Sequence, residues 1–297
     1  MGPPLTAFAS RSYIAGQLMN SPDNLIRWIV DPQGVEPGTD AAARQAMNYT
    51  LFHWSLHPWA IYAVVGLALA YSAFRKGRGI GFSAAFAPLF RGRTNIKALR
   101  AIDVFAIFAT LFGSATSLGL GVVQINGGLT EVFGIESNIW VQVGLIGLLT
   151  VCFVVSAVSG ISRGIKWLSN TNLVLAFILM VFVFVVGPTL FILDLLPAAL
   201  GAYLTELVPM SFHSGIFGGA EWMASWTVFY WAWWISWTPF VGTFIARISQ
   251  GRTIREFVVG VLLVPSTASF VWFTVLGGTG IRLQLNGIDI AGTGDEA

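Results

Sequence analysis

Apolar residues along this chain of 297 gather into six runs of about 20, near residues 51–73, 101–123, 138–160, 171–193, 225–246 and 257–277. A helix needs about 20 such residues to cross the hydrocarbon core of a bilayer, where every backbone N–H and C=O must be satisfied internally. The pattern predicts an all-α, polytopic membrane protein, with a six-helix transmembrane region over 51–277 between an outer segment, 1–50, and an outer tail, 278–297. Pro37 and Gly38 predict a short helix that takes Asp40 as its N-cap and runs straight into the first span. Residues 195–224 are long, proline-punctuated and amphipathic, and predict an outer helix lying on the membrane surface.

Composition agrees, and charge adds orientation. With 55% hydrophobic and 10% charged residues and a mean hydropathy of +0.73, the chain is no ordinary soluble domain, whose charged fraction is about 25%. Arg75, Lys76, Arg78, Arg91, Arg93, Lys97 and Arg100 lie in the 74–100 loop, Arg163 and Lys166 in the 161–170 loop, and Arg247, Arg252 and Arg255 in the 247–256 loop. The 124–137 and 194–224 loops hold carboxylates and no lysine or arginine. The positive-inside rule puts the three basic loops in the cytoplasm and assigns the net charge of +2 to topology rather than to nucleic acid. Both ends then face outward, and an outer N-terminus without a signal sequence leads to the expectation that an earlier span is missing and the chain is a fragment. The single Cys152 excludes an internal disulfide and a thiolate metal cluster.

The candidate chemistry is aromatic. Residues 226–240 read WTVFYWAWWISWTPF, in which Trp226, Phe229, Tyr230, Trp233, Trp237 and Phe240 share a helical stripe roughly 100° wide. Trp231 falls on the opposite face and is assigned to packing. A wall of indoles at membrane depth suits a cation that cannot hydrogen-bond, such as a quaternary ammonium held over ring faces. The first span brings Trp54, Trp59 and Tyr62 around Pro58, which suits either an interfacial aromatic belt or the facing half of a box. His53 and His57 have metal-ligand spacing but no third ligand nearby, so interfacial hydrogen bonding is the better reading. In the second span Thr110, Ser114 and Ser117 share a face near Gly113, for which helix packing is the better reading on local evidence and oxygen ligands for sodium the alternative. Asp103 and Asp194, at span ends, are expected to cap helices. The span centres hold no Asp, Glu, Lys or Arg, which argues against a proton relay and against an enzyme built on acids or metals.

The segments FHWSLHPWAIYAVVGLALAYSAFRKG, SLGLGVVQI, GIKWLSNTN, FVVGPTLFIL, SWTVFYWAWWISWTPFVGTFIARISQGRTIREFVVGVLLVPS and WFTVLGGT resemble the betaine/choline/carnitine transporter family, especially its sodium-coupled glycine betaine members, over about residues 45–281. The resemblance implies a LeuT-like fold of twelve transmembrane helices in inverted repeats, of which about six, helices four to nine, correspond to this chain, and a homotrimer of the full-length protein. It implies an aromatic substrate box of Trp54, Trp59 and Tyr62 opposite Trp233, Trp234 and Trp237, with Phe229 on the same pathway. Thr110 and Ser114, with Phe240, match one sodium site, Ser114 standing where relatives often carry threonine. The implied activity is import of a quaternary-ammonium osmoprotectant such as glycine betaine, with sodium as coupling ion and no organic cofactor. A choline or carnitine carrier, and a non-transporting fragment, are the alternatives.

Overall fold

A computed structural model describes residues 13–14, 18–19, 39–79, 81–90, 96–159, 166–216 and 219–288. Apart from a minimal antiparallel pairing of Tyr13–Ile14 with Leu18–Met19, the described elements are helical, as an all-α membrane protein requires.

Helix α1 (Asp40–Trp54) is capped by Thr39, whose Oγ1 accepts the Ala42 N–H at 3.2 Å; Asp40 is the first helical residue rather than the predicted cap. The helix breaks at Ser55, with φ −111° and ψ −117°, and resumes as α2 (Leu56–Ala70). Pro58 has no N–H for the Trp54 carbonyl, so the break falls where the ladder is already weakened. A π-helical turn, Tyr71–Arg75, completes this first stretch.

Two 3₁₀ turns, Phe82–Ala85 and Ala87–Phe90, lead into α3 (Ile96–Phe133). Asp103 caps the first of those turns and not its own helix: its carboxylate accepts the Ser83 N–H and Oγ–H, both at 2.8 Å. Helix α3 ends on Gly134 at φ 67°, with Gly134 N–H donating to Thr130 O (2.9 Å) and Ile135 N–H to Leu129 O (3.4 Å). Asn138 then caps α4 (Ile139–Val158), its Oδ1 accepting from Trp140 and Val141 N–H. The predicted 171–193 span is two helices, α5 (Lys166–Val186) and α6 (Thr189–Ser211), because Pro188 disfavours helix at Gly187 and cannot donate itself. Asp194 thus lies inside α6 and caps nothing at a span end.

The short α7 (Ala220–Met223) passes through a second π turn, Ala224–Val228, into α8 (Phe229–Ile248). A capping box starts α9 (Ile254–Leu285), Thr253 Oγ1 accepting the Glu256 N–H at 3.2 Å and Glu256 Oε2 the Thr253 N–H at 2.8 Å. Residues 278–285, expected in the outer tail, are therefore helical.

Among the described residues, six stretches are long and apolar enough to cross a membrane: Asp40–Arg75, α3, α4, α5, α6 and α9. Five coincide with predicted spans. The sixth is α6, expected at the surface, while α8 is absent from the set despite its 20 residues, because its indoles, with their N–H groups, count as only weakly apolar.

The chain forms two compact units. In the unit built from residues 1–48, 117–206 and 272–297, Gly278 lets the backbone meet Leu195, whose Cδ2 would lie 2.7 Å from a Cβ there, and the Arg282 guanidinium sits 5.3 Å over the Phe191 ring. The unit of residues 49–116 and 207–271 is organised by α2 against α8, around a core of Tyr62, Ala63, Ile245 and Phe257. The helices touch at two glycines: a Cβ on Gly66 would lie 3.4 Å from Gly242 O, and one on Gly242 3.4 Å from Gly66 N.

Candidate functional site

The second unit carries the aromatic residues in one continuous array. It is assembled where the end of α1 and the start of α2 meet the π turn and the first turns of α8. Trp54 stands edge-on to both Trp233 (5.9 Å between centroids, 89°) and Trp234 (4.9 Å, 84°), whose own rings are parallel at 5.2 Å and 12°. Tyr62 meets Trp234 edge-on at 6.0 Å, and Trp59 meets Tyr62 at 5.6 Å. Trp237 packs on the Tyr62 core cluster and on Phe240, 5.7 Å away, and Phe229 leans on Trp233 at 6.1 Å. Six of the seven residues expected to form the box, from both helices, thus join one ring network, and Trp237 packs beside it on the Tyr62 core cluster.

Polar groups fix this array. The Trp234 indole donates to the His53 carbonyl at 2.9 Å, and Trp54 meets the Tyr230 ring edge-on at 5.7 Å. The Trp234 N–H is therefore committed to the protein, leaving its ring as the available chemistry.

The sodium candidates are arranged differently. Thr110 Oγ1 donates to Ala106 O at 2.9 Å and Ser114 Oγ to Thr110 O at 2.8 Å, bonding back along α3 as packing hydroxyls do. Each oxygen keeps acceptor capacity for a cation. Gly113, between them, is where α3 touches α8: a Cβ there would lie 2.6 Å from Ser236 Oγ and 3.0 Å from Trp237 Cδ1. Phe240, the third candidate, is 56% exposed.

Both histidines hydrogen-bond hydroxyls, as preferred over metal binding, though His53 is buried rather than interfacial. His53 Nε2 lies 3.0 Å from Thr227 Oγ1 and His57 Nε2 2.9 Å from Ser211 Oγ. Among the described residues no group of three His, Cys, Asp or Glu side chains could hold a metal ion. Trp231 packs against Phe52 (5.2 Å) and stacks on His57 (5.7 Å, 21°), in keeping with its assignment to packing. Thr227, Tyr49 and Trp222 were not singled out by sequence. Tyr49 and Trp222, 4.3 Å apart, flank His53, and nothing in their local sequence announces this pairing.

Fold and site define a multi-pass helical membrane protein that carries an aromatic wall. The sequence profile described as betaine/carnitine/choline family transporter matches residues 22–296, and the chain belongs to that family. It is 51% identical over 261 residues to the glycine betaine transporter OpuD of Bacillus subtilis, covering 87% of this chain and 51% of that protein. It is 46% identical to glycine betaine transporter 1 of Vibrio parahaemolyticus (87% and 49% covered) and 45% identical to the ectoine/hydroxyectoine transporter of Virgibacillus pantothenticus (86% and 51%). The chain thus spans about half the length of these relatives, which are named as transporters and not as enzymes.

Proposed function

We propose that this chain forms the substrate-binding part of a secondary transporter that imports a quaternary-ammonium compatible solute, glycine betaine foremost, by alternating access in a bacterial plasma membrane. The observation that carries the reading is the ring network joining Trp54, Trp59 and Tyr62 to Trp233 and Trp234, with Trp237 packed beside it, in a member of this family. A trimethylammonium group cannot hydrogen-bond, and desolvated ring faces attract it by about 2 kcal/mol each. Sodium is the proposed coupling ion, with Thr110, Ser114 and Phe240 as its candidate site, and the full-length protein is proposed to be a homotrimer.

The test is uptake of labelled glycine betaine by cells that lack other carriers and express the full-length protein, with choline, carnitine and ectoine as competitors. Trp54→Ala and Trp237→Ala are each expected to raise KM about tenfold or more, since one lost cation–π contact of that size exceeds a factor of ten. Unchanged KM in both variants would remove the ring network from the binding role. Stronger inhibition by ectoine than by unlabelled betaine would move the substrate class to cyclic solutes.

A further inference from the structure

The geometry points to His53 as a positioning residue that locks the substrate helix through Thr227. The inference rests on the transport reading above and concerns residues to which that reading gives no role.

His53 holds α8 and its leading π turn by three separate means. Its ring nitrogen Nε2 pairs with Thr227 Oγ1 at 3.0 Å, its carbonyl accepts the Trp234 indole N–H at 2.9 Å, and its ring lies flat on Tyr230 at 4.8 Å and 16°. Thr227, Tyr230 and Trp234 therefore meet one residue across successive turns of a single helical segment. Two of these partners connect at once to the box: Tyr230 meets Trp54 edge-on at 5.7 Å, and Trp234 meets Trp54 and Tyr62 edge-on.

The Thr227 contact differs from the ordinary behaviour of hydroxyls in this chain. Thr110, Thr116, Thr205, Thr238, Thr243 and Thr279 all donate to the carbonyl four residues back. Thr227 lies in the π turn and pairs instead with a side chain 174 residues away. A π turn re-aims side chains relative to the α-helix that follows, and such turns gather at functional sites. His53 is 2% and Thr227 5% exposed, so the pair is dry, and losing one partner leaves the other buried without its bond. The break at Ser55, two residues beyond His53, also leaves the end of α1 dependent on contacts outside its own helix. The consequence is a rigid joint that sets the rotation of α8, and with it the directions of the Trp233 and Trp234 faces.

The test uses the full-length protein in proteoliposomes, with glycine betaine as probe and both tryptophan-fluorescence titration and uptake as readouts. His53→Ala and Thr227→Val are each expected to weaken betaine binding about three- to tenfold, the effect of one lost buried hydrogen bond transmitted to the site, with Vmax and the amount of inserted protein little changed. The double variant should bind no more weakly than the weaker single variant, because one bond is lost in each case. His53→Gln, whose amide can reach the Thr227 hydroxyl, and Thr227→Ser should each restore most of the affinity. Wild-type binding combined with single-variant affinities within twofold of wild type, or with effects that multiply in the double variant, would overturn the inference alone. No betaine binding by the wild-type protein would overturn the transport reading and this inference with it.

Discussion

A single absent methyl group at Gly113 governs how close α3 comes to α8. The Cβ of an alanine there would lie 2.6 Å from Ser236 Oγ and 3.0 and 3.1 Å from Trp237 Cδ1 and Nε1, inside van der Waals contact. Ser236 cannot simply rotate away without cost, because its hydroxyl donates to Trp233 O at 2.6 Å. The strain of overpacking, about 1–3 kcal/mol, would therefore be relieved by moving the Trp237 ring or the helix that carries it. Gly113→Ala is expected to raise the KM for betaine about tenfold with normal insertion, measured by uptake and by immunoblot of membranes; an unchanged KM would show that Trp237 adjusts without consequence. At this scale the sequence exposes chemistry and hides partnership. Trp54, Trp233 and Trp234 are conspicuous because indoles are rare at membrane depth. The pairing of His53 with Thr227 is not, because 174 residues separate two ordinary polar side chains.

Between elements, the decisive contact is the crossing of α2 and α8 at Gly66 and Gly242. A Cβ at Gly66 would reach 3.1 Å from Phe257 Cζ, and one at Gly242 would reach 3.0 Å from Val65 Cγ1, so both positions are filled to the backbone. Membrane helices gain association energy from such close approach, as lipid offers no hydrophobic drive between them. Gly242→Leu is expected to separate the helices and lower the melting temperature of the detergent-solubilised protein by several degrees, with Gly242→Ala intermediate; equal melting temperatures would refute the tight crossing. The helices themselves are legible in sequence because length and apolarity determine them. Their interruptions are less so. Pro188 splits a run that reads as one span, and the π turns at 71–75 and 224–228 carry no compositional mark. Hydropathy misleads about α8 for the same reason that α8 is interesting: its apolar surface is indole.

At the scale of the whole molecule, charge and packing together predict which helices cross the membrane. The basic loops at 74–100 and 247–256 belong on one side, so an even number of crossings must separate them. Five helices of 20 or more residues, α3, α4, α5, α6 and α8, lie between, so one of them does not cross. Composition alone would leave out α8. The contacts say otherwise. Tyr49 meets Trp222, His53 meets Thr227, Trp54 meets Trp233 and Gly66 meets Gly242, so both numbers rise together and the α1–α2 stretch runs parallel to the segment ending in α8. A helix parallel to an outside-to-inside span, ending at Arg247 as that span ends at Arg75, crosses in the same direction. The helix expected not to cross is then α6, along the outer surface. Single cysteines, introduced after Cys152→Ser, read this directly. Glu136→Cys and Ile216→Cys should react with an impermeant maleimide on intact cells, and Gln250→Cys only after permeabilisation. Protection of Ile216→Cys on intact cells, with labelling only after permeabilisation, would place α6 across the membrane and return α8 to its surface.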